Sequence, residues 1–297
     1  MIVDYIKLIR LKHWVKNLFL FIPVFFAGEV LNTSLYTPLI AGFFAFSLIA
    51  STIYILNDLK DIENDKLHPK KRFRPLASGT VSKNVAIAII PVFLVIGFII
   101  AISISHKFSF VLAIYFLMNI AYTFGLKRIS ILDIIIVSIG FVLRIKAGSI
   151  ITLIPLSQWI IIMVFLLALF LAIAKRRDDL LIKEDSGKDM RAASKKYSLE
   201  YLNVALSLIS GVIIVAYLMY TLSPEVIERI GTYRLFYTTI FVIAGLLRYL
   251  QLALVENNTG SPTSLLYKDR FIQFVIVMWV MSFYLLIYFK DLSLFSN

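Results

Sequence analysis

The sequence predicts an all-α polytopic membrane protein, a bundle of about nine transmembrane helices. Three observations predict it. Hydrophobic residues make up 60% of the 297-residue chain and charged residues only 16%, more apolar surface than a soluble domain of this length could hide. The apolar residues fall into long runs separated by polar segments. The cations collect on alternate loops, as the positive-inside rule requires.

In chain order the runs cover 17–30, 36–57, 86–104, 109–124, 132–152, 157–174, 201–222, 233–255 and 271–289. The first and the fourth are short for a hydrocarbon core of about 30 Å and need interfacial flanks. The second ends where the most polar stretch of the chain begins. The fifth carries two cations, Arg144 and Lys146, in GFVLRIKAGS, whose glycines Gly140 and Gly148 suit close helix approach. The sixth runs into KRRDD. We expect one integral membrane domain over 1–297, with loops 59–85 and 175–200 forming a polar cap.

Lys and Arg crowd the N-terminal segment and the loops after even-numbered runs. The opposite side holds only Lys107, Arg229, Arg234 and Lys290. This places the N-terminus and the polar loops in the cytoplasm, in an inner-membrane protein. The net charge of +12 would suggest nucleic acid in a soluble chain. Here the positive-inside rule accounts for it, and no nucleic-acid partner is expected. The chain has no cysteine, which excludes disulfides and thiolate metal sites. The opening MIVDYIKLIRLKHW is too charged for a cleavable signal. A homo-oligomer is compatible with the sequence, which does not fix one.

The stretch NDLKDIENDKLHPKKRFRPLASG, Asn57 to Gly79, holds the chemistry. Asn57, Asp58, Asp61 and Asp65 are spaced at helical intervals, so a continuous helix would carry them on one broad face. Carboxylates at the C-terminal end of a helix meet the unfavourable end of its dipole, and crowded acids repel unless a cation joins them. All-oxygen donors select a hard cation, and Mg²⁺ shares carboxylates with substrate phosphates. His68, Lys70, Lys71, Arg72 and Arg74 follow, bracketed by Pro69 and Pro75. Arg and Lys together suit phosphate groups. Taken alone, such a basic run is ordinary inside-facing charge or a lipid-headgroup contact. Directly after the acids it reads as a site for a metal-bound phosphate ligand. Lys175, Arg176, Arg177, Asp178 and Asp179 form a second polar focus, with Asp185 and Asp189 beyond it. Tyr54 lies near the face of Asn57, Lys16 precedes the first run, and Lys127 follows Tyr122. No serine, cysteine or histidine arrangement suggests nucleophilic catalysis.

The motif N-D-x-x-D-x-x-x-D at the edge of the second run resembles the UbiA prenyltransferase superfamily. With RLKHWVKN, GFVLRIKAG, LFLAIAKRRDDL, LLRYL at 246–250 and YKDR at 267–270, the chain is similar to the decaprenyl-phosphate phosphoribosyltransferase branch. The resemblance covers nearly the whole chain. It implies a helical bundle around a central cavity open to the cytoplasm. It also implies transfer of 5-phosphoribosyl from 5-phospho-α-D-ribose 1-diphosphate (phosphoribosyl diphosphate) to a polyprenyl phosphate, an early step toward lipid-linked pentose for cell-wall glycans. Asn57, Asp58, Asp61 and Asp65 would then hold Mg²⁺ on the diphosphate, the three aspartates being the catalytic set. Lys16, Tyr54, Lys71, Arg72 and Arg74 would touch the donor, with Lys175 and Arg176 as further substrate contacts. Lys127 and Arg144 would meet phosphates deeper in, Arg144 that of the lipid. An aromatic prenyltransferase of the same fold is the rival, since its acids would bind a prenyl diphosphate. A transporter without chemistry is the rival from another class; its acids belong near the midplane rather than at the rim.

Overall fold

The structure, a computed structural model, describes residues 2–67, 71–186, 196–256, 265 and 268–289. Regular structure among them is helical throughout. Among the described residues, eight helices are long and apolar enough to cross a membrane. The chain divides into two compact units, Met1–Lys127 with Val142–Pro155, and Arg128–Phe141 with Leu156–Asn297.

The first unit begins with α1 (Ile2–Leu8), a 3₁₀ segment (Leu11–Phe21) and α2 (Ile22–Phe26). The expected span at 17–30 is therefore not one α-helix. Three residues per 3₁₀ turn put Trp14, Asn17 and Leu20 on one line, and Asn17 and Leu20 are buried. Pro23, in the first turn of α2, fixes the φ that an α-helix needs to start. Together the two pieces reach roughly 30 Å, the thickness of a hydrocarbon core.

The 3₁₀ segment lies along α3 (Tyr36–Lys60), against a stripe that recurs every three or four residues. Asn17 Nδ2 donates to Ser47 Oγ at 2.8 Å. Trp14 Nε1 donates to Ser51 Oγ at 3.0 Å, and Ser51 Oγ donates to the Ile9 carbonyl at 2.8 Å. Without water to drive burial, such hydrogen bonds and close packing hold membrane helices together. α3 ends at Asp61 (φ −99°, ψ 11°), and α4 (Ile62–Leu67) follows at once. α5 (Lys83–Ile104) and α6 (His106–Phe124) pack against α3. α7 (Leu132–Thr152) contributes its second half to this unit. At Gly148 a Cβ would lie 1.9 Å from the Leu20 carbonyl oxygen, so only glycine lets the 3₁₀ backbone approach this closely. Phe46, Phe108, Leu112 and Tyr115 fill the core.

The second unit contains the first part of α7, then α8 (Gln158–Ser186), α9 (Leu199–Thr221), α10 (Pro224–Ile230), α11 (Thr239–Leu254) and α12 (Arg270–Tyr288). Ser198 caps α9 by accepting from Tyr201 N at 3.1 Å. Asp269 caps α12 by accepting from Ile272 N at 2.8 Å. The sequence expects a loop from 175, yet α8 runs on to Ser186. The physical reason is that KRRDD is anchored as helix: Arg176 and Arg177 are buried, and Arg177 Nε donates to Asn203 Oδ1 of α9 at 2.7 Å. The core gathers Phe170, Leu202, Leu206, Tyr249 and Leu252. His68, Lys70, Asp189, Arg191 and Tyr267 lie outside the described residues, as does the side chain of Asp185.

Candidate active site

The acidic motif sits where α3 gives way to α4, in the first unit. The helix breaks at Asp61, but its hydrogen-bond spacing carries across: Asp61 N donates to the Asn57 carbonyl at 3.0 Å and Asp65 N to the Asp61 carbonyl at 2.8 Å. The four motif residues therefore stay on neighbouring turns, although the continuous helix expected from the sequence is interrupted. Asp58 and Asp65 are buried. A single nitrogen, Arg74 Nη1, donates to Asp58 Oδ1 at 3.0 Å and to Asp65 Oδ2 at 2.6 Å. Arg10 Nη2 donates to the same Asp58 oxygen. Lys127 Nζ, arriving from the turn after α6, donates to Asp61 Oδ2 at 2.7 Å and to Asn57 Oδ1 at 3.2 Å. Each acid of the motif thus carries a cation, and three cations from three chain segments converge on one helix end.

Tyr54 lies one turn before Asp58. Its ring is covered by the Arg10 guanidinium at 4.7 Å and meets the His13 ring edge-on at 5.3 Å. Lys60 Nζ donates to the Thr123 carbonyl at 2.9 Å and ties the ends of α3 and α6 together. Lys71 and Arg72 lie on a short 3₁₀ turn, Lys71–Phe73. The Lys71 carbonyl accepts from Arg74 N at 2.9 Å, whereas the Arg72 guanidinium rests on Phe73 at 4.8 Å. Lys16 is half-buried on the 3₁₀ segment.

Arg10 is the member that sequence reading missed. Its backbone is left-handed, φ 53° and ψ 48°, a conformation uncommon for a residue with a Cβ. The signal that could have found it is the stripe Ser47, Ser51, Tyr54 and Asp58 on α3. Each member pairs in turn with Asn17, Trp14, His13 or Arg10 as the 3₁₀ segment runs the opposite way.

Arg144 is brought to a different depth. It is buried in the first unit, where Nε donates to Asn17 Oδ1 at 2.9 Å and Nη2 to Tyr115 Oη at 2.8 Å. Its guanidinium lies 5.1 Å from the Phe46 ring centre and 4.9 Å from that of Tyr115. Asn17 in turn holds Ser47, eleven residues before Asp58 on α3 and so roughly 17 Å along the helix. Arg144 is therefore built into the packing of four segments, a long way from the acids, while Lys146 on the same helix is exposed.

In the second unit Arg176, only 2% exposed, donates through Nε to Asp133 Oδ2 and lies 3.5 Å from Asp179. Tyr197 Oη donates to Asp133 Oδ1 at 3.0 Å and accepts from Ile131 N. Burial pushes the Tyr197 hydroxyl up to about 12, so it stays a donor at physiological pH. Lys175 is exposed on the same turn of α8.

Among the described residues no three acids or histidines meet as a ready-made metal cage. The donor chemistry nevertheless fits Mg²⁺, which takes only one or two carboxylates when it shares its shell with substrate phosphates and waters. Asn57, Asp58, Asp61 and Asp65 offer hard oxygens alone, clustered on neighbouring turns.

A bundle of apolar helices with a rim of paired acids and cations defines a multi-pass membrane protein with a polar site at one helix end. Residues 18–275 match the UbiA prenyltransferase family, and the chain belongs to that family. It is 32% identical to decaprenyl-phosphate phosphoribosyltransferase of Mycolicibacterium smegmatis, over 96% of this chain and 92% of the relative. It is 30% identical to the protein of that name in Corynebacterium glutamicum, over 95% of this chain and 86% of the relative. Its fold is similar to that of a UbiA homologue from Archaeoglobus fulgidus solved with DMAPP and Mg²⁺. That match has a TM-score of 0.72 and 20% identity, and covers 96% of this chain and 99% of the other.

Proposed function

We propose that this protein transfers the 5-phosphoribosyl group of phosphoribosyl diphosphate to a polyprenyl phosphate in the inner membrane, yielding a lipid-linked pentose phosphate for glycan synthesis. The observation that carries this reading is near full-length likeness to relatives bearing that activity's name. The site supplies chemistry to match. A phosphate oxygen of the lipid forms a bond to C1 of ribose, and the C1–O bond to diphosphate breaks with its electron pair leaving on the diphosphate. The attacking phosphate is already ionised, so no general base is needed.

Mg²⁺, when bound with the donor, would neutralise charge on the leaving diphosphate, with Asn57, Asp58, Asp61 and Asp65 as its oxygen donors. The chain's own cations do the rest. Arg10, Arg74 and Lys127, which hold the carboxylates here, are within a side-chain swing of phosphates placed on them. They would stabilise charge as it develops. Tyr54 supports the Arg10 guanidinium, and Lys16, Lys71 and Arg72 supply further positive charge for the donor's 5-phosphate. Lys175 is a candidate contact from the second polar focus. Arg144 and Arg176 are each engaged inside their own unit and are assigned to packing there rather than to phosphate. The acids face the cytoplasm, where the donor is made.

The test is transfer of label from radioactive phosphoribosyl diphosphate into the lipid phase. Purified protein would be given Mg²⁺ and a polyprenyl phosphate, with Asp61→Ala as control. Metal-dependent label that disappears in the variant is the expected result. No label, with transfer from a prenyl diphosphate to an aromatic acid instead, would overturn it in favour of aromatic prenylation.

A further inference from the structure

α1 ends in a way that favours glycine, and the chain places an arginine there. Ile9 N donates to the Tyr5 carbonyl at 3.0 Å and Arg10 N to the Lys7 carbonyl at 3.2 Å. Arg10 itself is left-handed, at φ 53° and ψ 48°. Helices commonly close on one left-handed residue, usually glycine, because a Cβ there crowds the following carbonyl. Glycine would make this turn without strain, but it would not carry the guanidinium that meets Asp58 and covers Tyr54. A strained conformation persists only where its surroundings over-determine it.

Here the restraint is Ser51 of α3, which is wholly buried. Its hydroxyl donates at 2.8 Å to the carbonyl of Ile9, the peptide that leads into Arg10. The hydroxyl is aimed: Trp14 Nε1 donates to its oxygen at 3.0 Å, which leaves the proton for Ile9. The Trp14 ring is held edge-on by Phe43 and Phe44, with centroids 6.3 and 6.1 Å away. Before the turn, Leu8 is buried in one cluster with Ile55, Ile62 and Leu76. After it, His13 N donates to the Arg10 carbonyl at 2.7 Å. Asp58 lies seven residues beyond Ser51, about two turns along the same face of α3. All of these residues belong to the first unit.

We infer that Ser51 is a positioning residue for Arg10. Its bond to the Ile9 carbonyl holds the left-handed turn, and the turn aims the guanidinium at Asp58 and at the diphosphate that the acids would hold. The diphosphate part rests on the function proposed above; the holding of the turn stands apart from it. Without the hydroxyl, the Ile9 carbonyl loses its partner, Arg10 relaxes to a right-handed conformation, and the guanidinium leaves Asp58. A cation stabilises a leaving group best when it is already in place as charge develops. The loss therefore falls on kcat rather than on KM.

The experiment uses full-length protein in lipid nanodiscs with Mg²⁺, phosphoribosyl diphosphate and a polyprenyl phosphate. The variants are Ser51→Ala, Arg10→Met, the two combined, and Ser47→Ala. Ser47 makes a comparable bond to Asn17 on the same stripe, so its loss loosens the same pair of segments without touching the turn. Expected for Ser51→Ala is a fall in kcat of roughly tenfold, with KM for phosphoribosyl diphosphate nearly unchanged. Added to Arg10→Met, it should cost nothing further. Ser47→Ala should keep the wild-type kcat. Equal falls from both serines, or additive losses with Arg10→Met, would overturn the inference, because Ser51 would then act through general packing. Amide exchange over 10–13 reads the turn with no substrate: faster in Ser51→Ala, unchanged in Ser47→Ala. Unchanged exchange in Ser51→Ala would overturn the holding of the turn. If the wild type transferred nothing to a lipid phosphate, the proposed activity would fall, while exchange would still decide whether Ser51 holds Arg10. Should Ser51→Ala not fold, Ser51→Cys, which keeps a weak S–H donor, carries the same tests with smaller changes in the same direction.

Discussion

Arg74 touches Asp58 and Asp65 with one nitrogen, so its loss should be felt twice. Replacing it with Met leaves two buried carboxylates near each other with only Arg10 to compensate. Charge-assisted bonds of this kind contribute about 1.5–3 kcal/mol, and the variant should melt at lower temperature in detergent. Mg²⁺ should then raise the melting temperature of Arg74→Met more than that of the wild type, because the metal replaces the missing charge. Equal shifts would mean that the carboxylates do not take the cation. In the second unit, the Arg248 guanidinium bonds Asp269 through Nε and Nη2, at 3.1 and 2.7 Å. With the cap bond from Ile272, this holds the Asp269 carboxyl below its ordinary value. A depressed carboxylate pKa adds stability above the unfolded value, near 3.9, and that stability is lost as pH falls through the folded value. Melting followed from pH 6 to pH 3 should therefore show an acid-side drop in the wild type that is smaller in Arg248→Met.

At the scale of elements, the decisive contact is between Gly148 of α7 and the carbonyl of Leu20. A methyl group there meets backbone, which cannot swing aside, so Gly148→Ala should cost on the order of 1–3 kcal/mol. The loss should appear as reduced yield of folded protein and a lowered melting temperature. Gly211, with nothing near its Cβ position, should tolerate alanine and serves as the control. Helices such as α5 and α9 were legible as uniform apolar runs, because a membrane imposes length and hydropathy together. The 3₁₀ segment was not. Its apolar content reads as a short span, and what makes it 3₁₀ is the spacing of Trp14, Asn17 and Leu20 against serines on another helix. The helical reach of α8 past Lys175 was hidden likewise. Charged residues predict a loop unless their partners, Asp133 and Asn203, are known to wait beside them.

At the scale of the whole chain, absence of cysteine makes topology directly testable. Single cysteines at Lys66 and Lys107 flank α5, so they should label from opposite faces. Position 107 should react with an impermeant thiol reagent in intact cells, and position 66 only once the membrane is opened. The reverse pattern would put the acidic motif outside, away from any cytoplasmic donor. That acids and cations gather in one stretch was plain from the sequence, and the structure pairs Asp58 and Asp65 with Arg74 of that same stretch. Which cation meets which acid was not plain. Lys127 reaches Asp61 across 66 residues of chain, and Arg10 reaches Asp58 across 48, distances over which spacing says nothing. Arg144 drew attention as an intramembrane charge, but only folding shows that Asn17 and two aromatic rings engage it.

That arrangement also has an order in time. Asn17, Phe46 and Tyr115 are all translated before Arg144, and the half of α7 that bears it is the last long helix of its unit to leave the ribosome. The most costly side chain to place in lipid thus emerges after the groups that receive it. Had the same contacts been written in the opposite order, an isolated guanidinium would have to wait in the bilayer for partners still to be made.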